Sequence, residues 1–593
     1  MPSTVRSNRL SLRVVAKLNK IVFTCYILPC HVRERSISSL RAHTLASCPY
    51  SILGFEIAGA KSFIDGLVVV SLIEHSGFWG FLIRFLNQNV EGLPFRRFFR
   101  WKTAAVGLSF SILTLAGCAG IVSSTTISSS LIASSITKDG ITWSFAERVP
   151  IGQFVTGDYY VVGPVTLTGI SPAPTTTSPY LNGSVLNLPT SNGKSGFDSR
   201  LNDGSDQSWW FDASRRSYPP FTLKPGDALV SSISLPEGHA LPEVMRSSTM
   251  SASPVRTVSV LTVLASAVPA DAFRPSYCDR NQTIYHAGSL QRNILPSLAP
   301  PNPAETPTLL QYETLYRRPW IDTNAFLFDA PAEYMPSYGQ HVAFADSYAS
   351  LLLMLNFPAE EKVKLTNYFV QYGIDLYGCV QAGYGWPAFG GHRSGRKLPI
   401  VFAGILLDDP GMKNVSAAYP DKFGEDMQTV YVAQVPPAGK YQHAWQGATV
   451  IYGGHYGVRA NGAPVSAGLY GPYEQLPPSL WPTLNGGEQI GEAYRRCCTS
   501  VSWVGEALAV HLLHAEVMWN HPAFFDYVDR WMSEDDTLAV AKIKAETGID
   551  YSAKGGRQRQ TVQWLEGEVK DPSFIDDMWK LYRQKDTAQA GKP

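Results

Sequence analysis

The chain has 593 residues, too many for one ordinary core, so two or more domains are expected. Its net charge is +1, with 17% charged and 45% hydrophobic residues, a globular balance without the basic excess of a nucleic-acid binder. No P-loop, G-x-G-x-x-G, G-x-S-x-G or long basic tract occurs, which argues against nucleotide, dinucleotide and nucleic-acid roles. Aromatic residues reach 12%, with 14 Trp and 28 Tyr. They tilt the expectation mildly toward carbohydrate, because a ring stacks on the apolar face of a pyranose.

Residues 1–95 are Arg- and Ser-rich, lack clean periodicity and hold one apolar stretch around Val68–Ile83. They are set aside as a doubtful extension, a start called too early or an N-terminal anchor. Residues 96–118 have a different character. A basic region (Arg96, Arg97, Arg100, Lys102) precedes an apolar run that ends Leu115-Ala116-Gly117-Cys118. That order is a secretory signal, and the apolar run is short for a membrane span. Its last four residues resemble the lipobox of bacterial lipoproteins. The resemblance implies acylation of Cys118, a lipid anchor in the membrane and a place in the cell envelope. Ala119 after the cysteine favours the outer membrane.

Residues 119–139 are Ser/Thr-rich and read as a tether. Over 140–270 the pattern becomes strand-like, in Asp158–Ile170, Phe221–Leu223, Asp227–Leu235 and Thr257–Leu264, with turn residues between. This spacing predicts a β-sandwich. Residues 271–305 are Pro-rich and read as an interdomain linker. From 306 to 583 the period is helical, in Ala343–Leu355, Ala359–Tyr377, Pro399–Leu407, Glu488–Glu516 and Ala523–Met532, with a tail over 584–593. Asn356-Phe-Pro-Ala-Glu-Glu marks a helix start near Pro358.

Two stretches of the helical half carry chemistry. One is the loop Tyr384-Gly-Trp-Pro-Ala-Phe-Gly-Gly-His-Arg-Ser-Gly-Arg-Lys-Leu-Pro399, which joins aromatics and glycines to His392, Arg393, Arg396 and Lys397. Cations there suit an anionic partner, and Trp386 offers stacking surface. A solvated turn between helices is the alternative. The other is the Gly-, Tyr- and Pro-rich segment 409–487, with His443, Trp445, Tyr452, His455 and Tyr456; a loop this long in a helical domain is usually functional.

A lipoprotein signal, a β-sandwich and a helical domain with aromatic, basic loops together resemble bacterial polysaccharide lyases built on an (α/α) toroid, a scaffold some glycoside hydrolases share. The likeness is one of architecture over about 140–583, and no complete family signature matches. It implies an exported enzyme acting on a polysaccharide. For a lyase, β-elimination from a uronate needs a group to neutralise the carboxylate, a base for the C5 proton and an acid for the leaving oxygen. Arg393, Arg396 and Lys397 suit the first role and His392 the second. Tyr384, Tyr452 or Tyr456 could be acid or base, with His443 and His455 as further candidates. For a hydrolase, two carboxylates must face each other, and Asp346, Asp375, Glu488 and Glu492 are available. Glu488 and Glu492 stand four residues apart and would share a helical face. Arg495 extends the basic surface or pairs with Glu492. A glycan-binding envelope lipoprotein without catalysis is the third reading.

No cofactor or metal is called for: His511, His514 and Glu516 do not share a face, and no H-E-x-x-H pattern occurs. The eight cysteines (Cys25, Cys30, Cys48, Cys118, Cys278, Cys379, Cys497, Cys498) form no C-x-x-C pair. The adjacent Cys497 and Cys498 have poor geometry for bonding to each other, so buried free thiols are expected.

Overall fold

The computed structural model describes side chains over 131–200, 211–236, 254–323, 332–336, 338–552 and 573–583. Backbone alone is described in strands between 16 and 86, at 201–202, 562–564 and 567–569, and over 584–589. The chain divides into units 1–121 and 122–593.

In the first unit, Ala16–Leu18, Ile21–Ile27 and Leu53–Ala58 form an antiparallel sheet, and Leu67–His75 pairs with Phe78–Leu86 in a hairpin. The apolar stretch Val68–Ile83 falls on this hairpin. The signal-like segment 96–118, Cys118 included, lies outside the described residues. Among the described residues no helix is long and apolar enough to cross a membrane.

The second unit begins with one curled sheet, a half-barrel over 131–264, where the sequence predicted two packed sheets. Its strands are β1 Leu131–Lys138, β2 Ile141–Gln153, β3 Tyr159–Val162, β4 Val165–Ser171, β5 Ser184–Leu186, β6 Phe221–Leu223, β7 Ala228–Ser234 and β8 Val255–Leu264. The order is β5-β7-β8-β3-β2-β4-β6, with β1 also on β2. All pairings are antiparallel except β8 with β3. Ile141, Trp143 and Phe145 alternate inward from β2, and the Trp143 indole donates to Ser231 Oγ at 2.9 Å.

Strands β7 and β8 are buried on both faces. Leu229, Leu261 and Val263 fill the half-barrel, whereas Val230, Val258 and Val260 join the core of the helical region. This explains the nearly unbroken apolar run of β8, and it explains why no second sheet is needed: helices cover the other face.

Two boundaries differ from expectation. The end of the Ser/Thr-rich tether is strand β1, because Ile132, Ile136 and β-branched threonine suit pairing with β2. The Pro-rich linker is part of the core. Phe273, Arg274 and Tyr277 within it are fully buried. Arg274 donates to Asp158 at 3.0 Å, at the start of β3, and to both oxygens of Asp375 at 2.9 and 2.5 Å.

The helices are α1 Leu309–Tyr316, α2 Gly339–Leu353, α3 Ala359–Gln381, α4 Lys397–Leu407, α5 Ser500–Leu512, α6 Pro522–Ser533, α7 Asp536–Thr547 and α8 Ser573–Gln589. A capping box between Thr308 and Gln311 starts α1. Helix α3 starts after Pro358 as the sequence indicated, with Glu360 and Glu361 in its first turn. Helix α2 buries every residue but His341, and its Ser347 and Ser350 hydroxyls donate back to Ala343 O and Asp346 O at 2.6 and 2.7 Å. Helix α5 crosses α2 at Gly505, where a Cβ would stand 2.6 Å from Ser347 Oγ. The predicted helix Glu488–Glu516 is broken: a short helix Ile490–Tyr494 and a π-helical turn Arg495–Thr499 lead into α5.

Candidate functional site

The turn of α3 ending near Gln381 releases the loop 384–397, which closes on α4. Trp386 N donates to Lys422 O at 2.6 Å, and Gly390 N donates to His455 O at 2.8 Å, so the second bond ties this loop to the one carrying His455. Gly390 has φ +53°, and a Cβ there would lie 2.6 Å from the His455 ring. A Cβ on Gly391 would collide with the Tyr338 hydroxyl and with Cys498. Both positions are glycine because side chains of the site rest directly on the backbone.

Those side chains surround Phe389. Its ring centroid is 5.2 Å from both His392 and His455, and 5.5 Å from Tyr456. Tyr338 meets His392 edge-on at 4.8 Å, and Tyr494 meets His455 edge-on at 4.5 Å. Tyr456 and Tyr470 flank His455 at 4.9 and 5.8 Å. The Arg393 guanidinium lies 6.0 Å from the Phe389 centroid. His392, Arg393, Phe389, Tyr456, Tyr470 and Tyr494 are half-buried, so the cluster reaches the surface.

Burial sets the protonation states. It drives the His392 imidazole down to about 3, with His455, Arg393 and Arg396 adding positive charge. His455 is pulled down to about 4 by burial alone. Both rings are therefore neutral at pH 7 and able to accept a proton. Burial raises the hydroxyls of Tyr338, Tyr384 and Tyr494, so these carry their protons. His455 Nδ1 is buried with no hydrogen-bond partner among the described residues. A buried polar atom without a partner calls for an explanation, and an approaching ligand or water is one.

The loop 384–397 and the segment around 455–494 thus bring together His392, Arg393, His455 and Tyr456. Tyr384 stands beside them, its ring edge-on to Trp386 at 5.7 Å and within reach of the Arg393 charge. Glu488 is half-buried and close enough to raise Tyr494 further. It precedes the helix Ile490–Tyr494, so it does not share a helical face with Glu492.

The other candidates are elsewhere. Trp386 is fully buried and donates to Asp322 O at 3.2 Å, so it offers no stacking surface. Tyr452 is fully buried, its hydroxyl accepting from Gln428 at 2.9 Å. Arg396 is locked to Asp322 at 2.6 Å, and Lys397 to Asp426 at 2.7 Å and Trp519 O at 2.6 Å, so neither cation is available to a substrate. Arg495 pairs with Glu492 at 3.3 Å and Glu534 at 3.0 Å, while Glu492 also holds Arg496 at 2.5 Å. Asp346 is fully buried and accepts from the Tyr316 hydroxyl; Asp375 serves Arg274. His443 is exposed, and Trp445 packs edge-on to Trp481 at 6.2 Å.

Phe389, Tyr338 and Tyr494 belong to the candidate cluster but not to the candidates expected from the sequence. Phe389 lies inside the loop 384–397, but Tyr338 carries no local signal. The cysteine expectation is also corrected: Cys497 and Cys498 are bonded to each other inside the π-helical turn, next to Gly391. Gln340 donates to Cys497 O at 2.7 Å from the first turn of α2.

Beneath the loop lies a buried acidic interior. Glu425 accepts from Gly395 N, and Glu425 Oε2, Asp346 Oδ2 and both Glu506 oxygens have no partner among the described residues. Burial pushes Glu425 up to about 7 and raises Asp346 and Glu506 well above the carboxylate range. A carboxyl whose folded pKa exceeds its unfolded value stabilises the fold at low pH and loses that contribution as pH rises through the folded pKa. His341 and His455 (both to about 4) and His392 (to about 3) act with the opposite sign, but only below their unfolded value near 6.5. Stability is therefore expected to fall between pH 6.5 and 8, by up to about 1.4 kcal/mol per pH unit for each carboxyl that keeps its proton in the fold. Urea midpoints across that window check this, and a flat or rising profile would contradict it.

Asn520 and His521 line a surface groove with Asp421, Asp426 and Arg459, and none of its lining residues belongs to the Phe389 cluster. The chain matches no known protein family, no curated protein and no solved structure, so the chemistry of the Phe389 cluster is the ground on which its function is argued.

Proposed function

We propose that the chain is an exported, lipid-anchored enzyme that degrades an acidic polysaccharide by β-elimination, with the Phe389 cluster as its active site. The observation that carries the reading is the meeting of two neutral imidazoles, protonated tyrosines and one guanidinium around a single ring, from loops distant in sequence. Arg393 faces the uronate carboxylate and makes the C5 proton more acidic. His392 or His455 takes that proton, the C5–H electrons form the C4–C5 double bond, and the C4–O4 bond breaks. Tyr494 or Tyr456 protonates the departing oxygen. Phe389 and the tyrosines offer stacking surface to the sugar. An imidazole held to about 3 or 4 is a weak base in the free enzyme. An arriving carboxylate favours the charged imidazolium and moves the pKa toward working pH, which makes an anionic sugar the fitting substrate.

Hydrolysis by paired carboxylates finds less support, because Asp346, Asp375 and Glu492 are all held in the core. An (α/α) toroid-like lyase remains the architectural analogue for the helical region, and acylation of Cys118 is the proposed route to the envelope.

The test incubates the chain from residue 119 onward with a panel of uronate and neutral polysaccharides, following ultraviolet absorbance of an unsaturated product and new reducing ends together. Both signals rising on a uronate polymer is the expected result. Reducing ends without absorbance would mean hydrolysis. Neither signal, with binding retained, would mean a glycan-binding lipoprotein.

A further inference from the structure

Two cysteines outside the Phe389 cluster lie together. Cys278 Sγ and Cys379 Sγ are 3.0 Å apart, both buried, and 101 positions apart in sequence. That separation is about 1 Å longer than a disulfide bond and shorter than two unbonded sulfurs choose in a relaxed core. Cys278 follows Arg274 and Tyr277 in the core-packed connector. Cys379 sits in the last turns of α3, and its carbonyl accepts from Tyr384 N at 2.9 Å, the first residue of the site loop. Ser276 on the same connector donates to Asp375 O at 2.9 Å, and a Cβ on Gly378 would collide with Ser276, so connector and helix are already packed together beside the pair.

We propose that Cys278 and Cys379 form a disulfide in the oxidised protein, a covalent staple that fastens the end of α3, and with it the base of the site loop, to the connector beside the sheet. The two S–H bonds break, one S–S bond forms, and two protons and two electrons leave. A disulfide-bearing oxidant accepts them, the first thiolate attacking it to form a mixed disulfide and the second displacing the reduced half. Because both sulfurs are buried in the finished fold, the exchange takes place while the chain is still folding. The staple closes a loop of about 100 residues, the length range in which a cross-link constrains the unfolded chain most. It goes beyond the enzymatic reading and needs no substrate for its test.

The whole chain is made by cell-free translation in a buffer of reduced and oxidised glutathione, and in parallel with dithiothreitol. The soluble product is unfolded in guanidinium with iodoacetamide and digested without reduction. The expected result is a linked peptide pair containing Cys278 and Cys379, two hydrogens lighter than the separate peptides, with both residues alkylated in the dithiothreitol sample. Alkylation or glutathione adducts on these residues in the glutathione sample, with Cys497–Cys498 closed as the internal control, would overturn the proposal. The Cys278→Ser, Cys379→Ser double variant should lower the thermal midpoint of the oxidised chain by roughly 5 °C or more. A midpoint matching that of the oxidised parent would likewise count against a bond.

Discussion

Arg274→Ala is expected to destabilise the second unit by about 3–5 kcal/mol, the range for removing one partner of a buried ion cluster. The guanidinium is fully buried, and it is the shared partner of Asp158 at the start of β3 and Asp375 in α3. Its own backbone is clamped as well: Arg274 N donates to Gln371 Oε1 at 2.9 Å, and Gln371 Nε2 donates to Arg274 O at 2.8 Å. Without the cation, two carboxylates would face each other in a low-dielectric interior. Asp375 is pushed up to about 6 by burial even with Arg274 present, so the variant would keep it protonated over a wider pH range and lose more stability at pH 8 than at pH 5. Chemical denaturation at those two pH values measures both effects. Converting all three residues together to apolar ones of similar volume should recover much of the loss, because the cost lies in the unpaired charges. A single variant that unfolds no more easily than the parent would mean that sheet and helices are held together by apolar packing alone.

Arg274 also shows where sequence reading ran out. Its segment is rich in proline and lacks periodicity, which is how an exposed linker looks; the ion pairs that bury it come from residues about a hundred positions away on either side. Helices α3, α4 and α6 were legible because apolar residues recur at three- and four-residue spacing on long stretches. Helices α1 and α7 were not, being short or facing the core on few residues. Strand β8 was legible as a strand, yet its double burial reports only that something covers each face. The cover on the second face proved to be helices, and from one strand's residues a sheet would have been an equal choice.

The loop 384–397 stands out in the sequence as a candidate, but its side chains divide in a way spacing cannot reveal. Arg393 reaches the aromatic cluster, whereas Arg396 and Lys397 turn inward to Asp322 and Asp426. The cation count in the sequence therefore overstated the charge available to a substrate. The aromatic residues divide likewise: Phe389 forms the shelf, and Trp386 and Tyr452 belong to the core. Tyr338 enters from the start of α2 and could be found only once the fold brought it over His392.

Replacing the imidazoles tests whether this cluster is a catalyst. One of His392→Ala and His455→Ala is expected to leave binding of the acidic polymer largely intact while lowering kcat by about 10²- to 10⁴-fold, the usual contribution of a general base. The two rings sit symmetrically about Phe389, at 5.2 Å each, so geometry allows either to face the C5 proton. The ring whose loss spares kcat is then a contact residue, and its variant should raise KM instead. Arg393→Lys should cost kcat/KM as well, because an ammonium keeps the charge but cannot grip a carboxylate with two parallel hydrogen bonds. The pH profile adds a readout that a merely structural histidine would not move. Burial holds the imidazoles to about 3 and about 4 in the free protein, so kcat/KM should stay level down to about pH 5, where an ordinary histidine base would already fail near 6.5. In kcat the acidic limb should move upward, since the bound uronate carboxylate stabilises the imidazolium. Full activity in both alanine variants would remove the histidines from the mechanism and leave the Phe389 cluster as a surface for binding alone, whereas an acidic limb near 6.5 in kcat/KM would mean a base that is not buried as these two rings are.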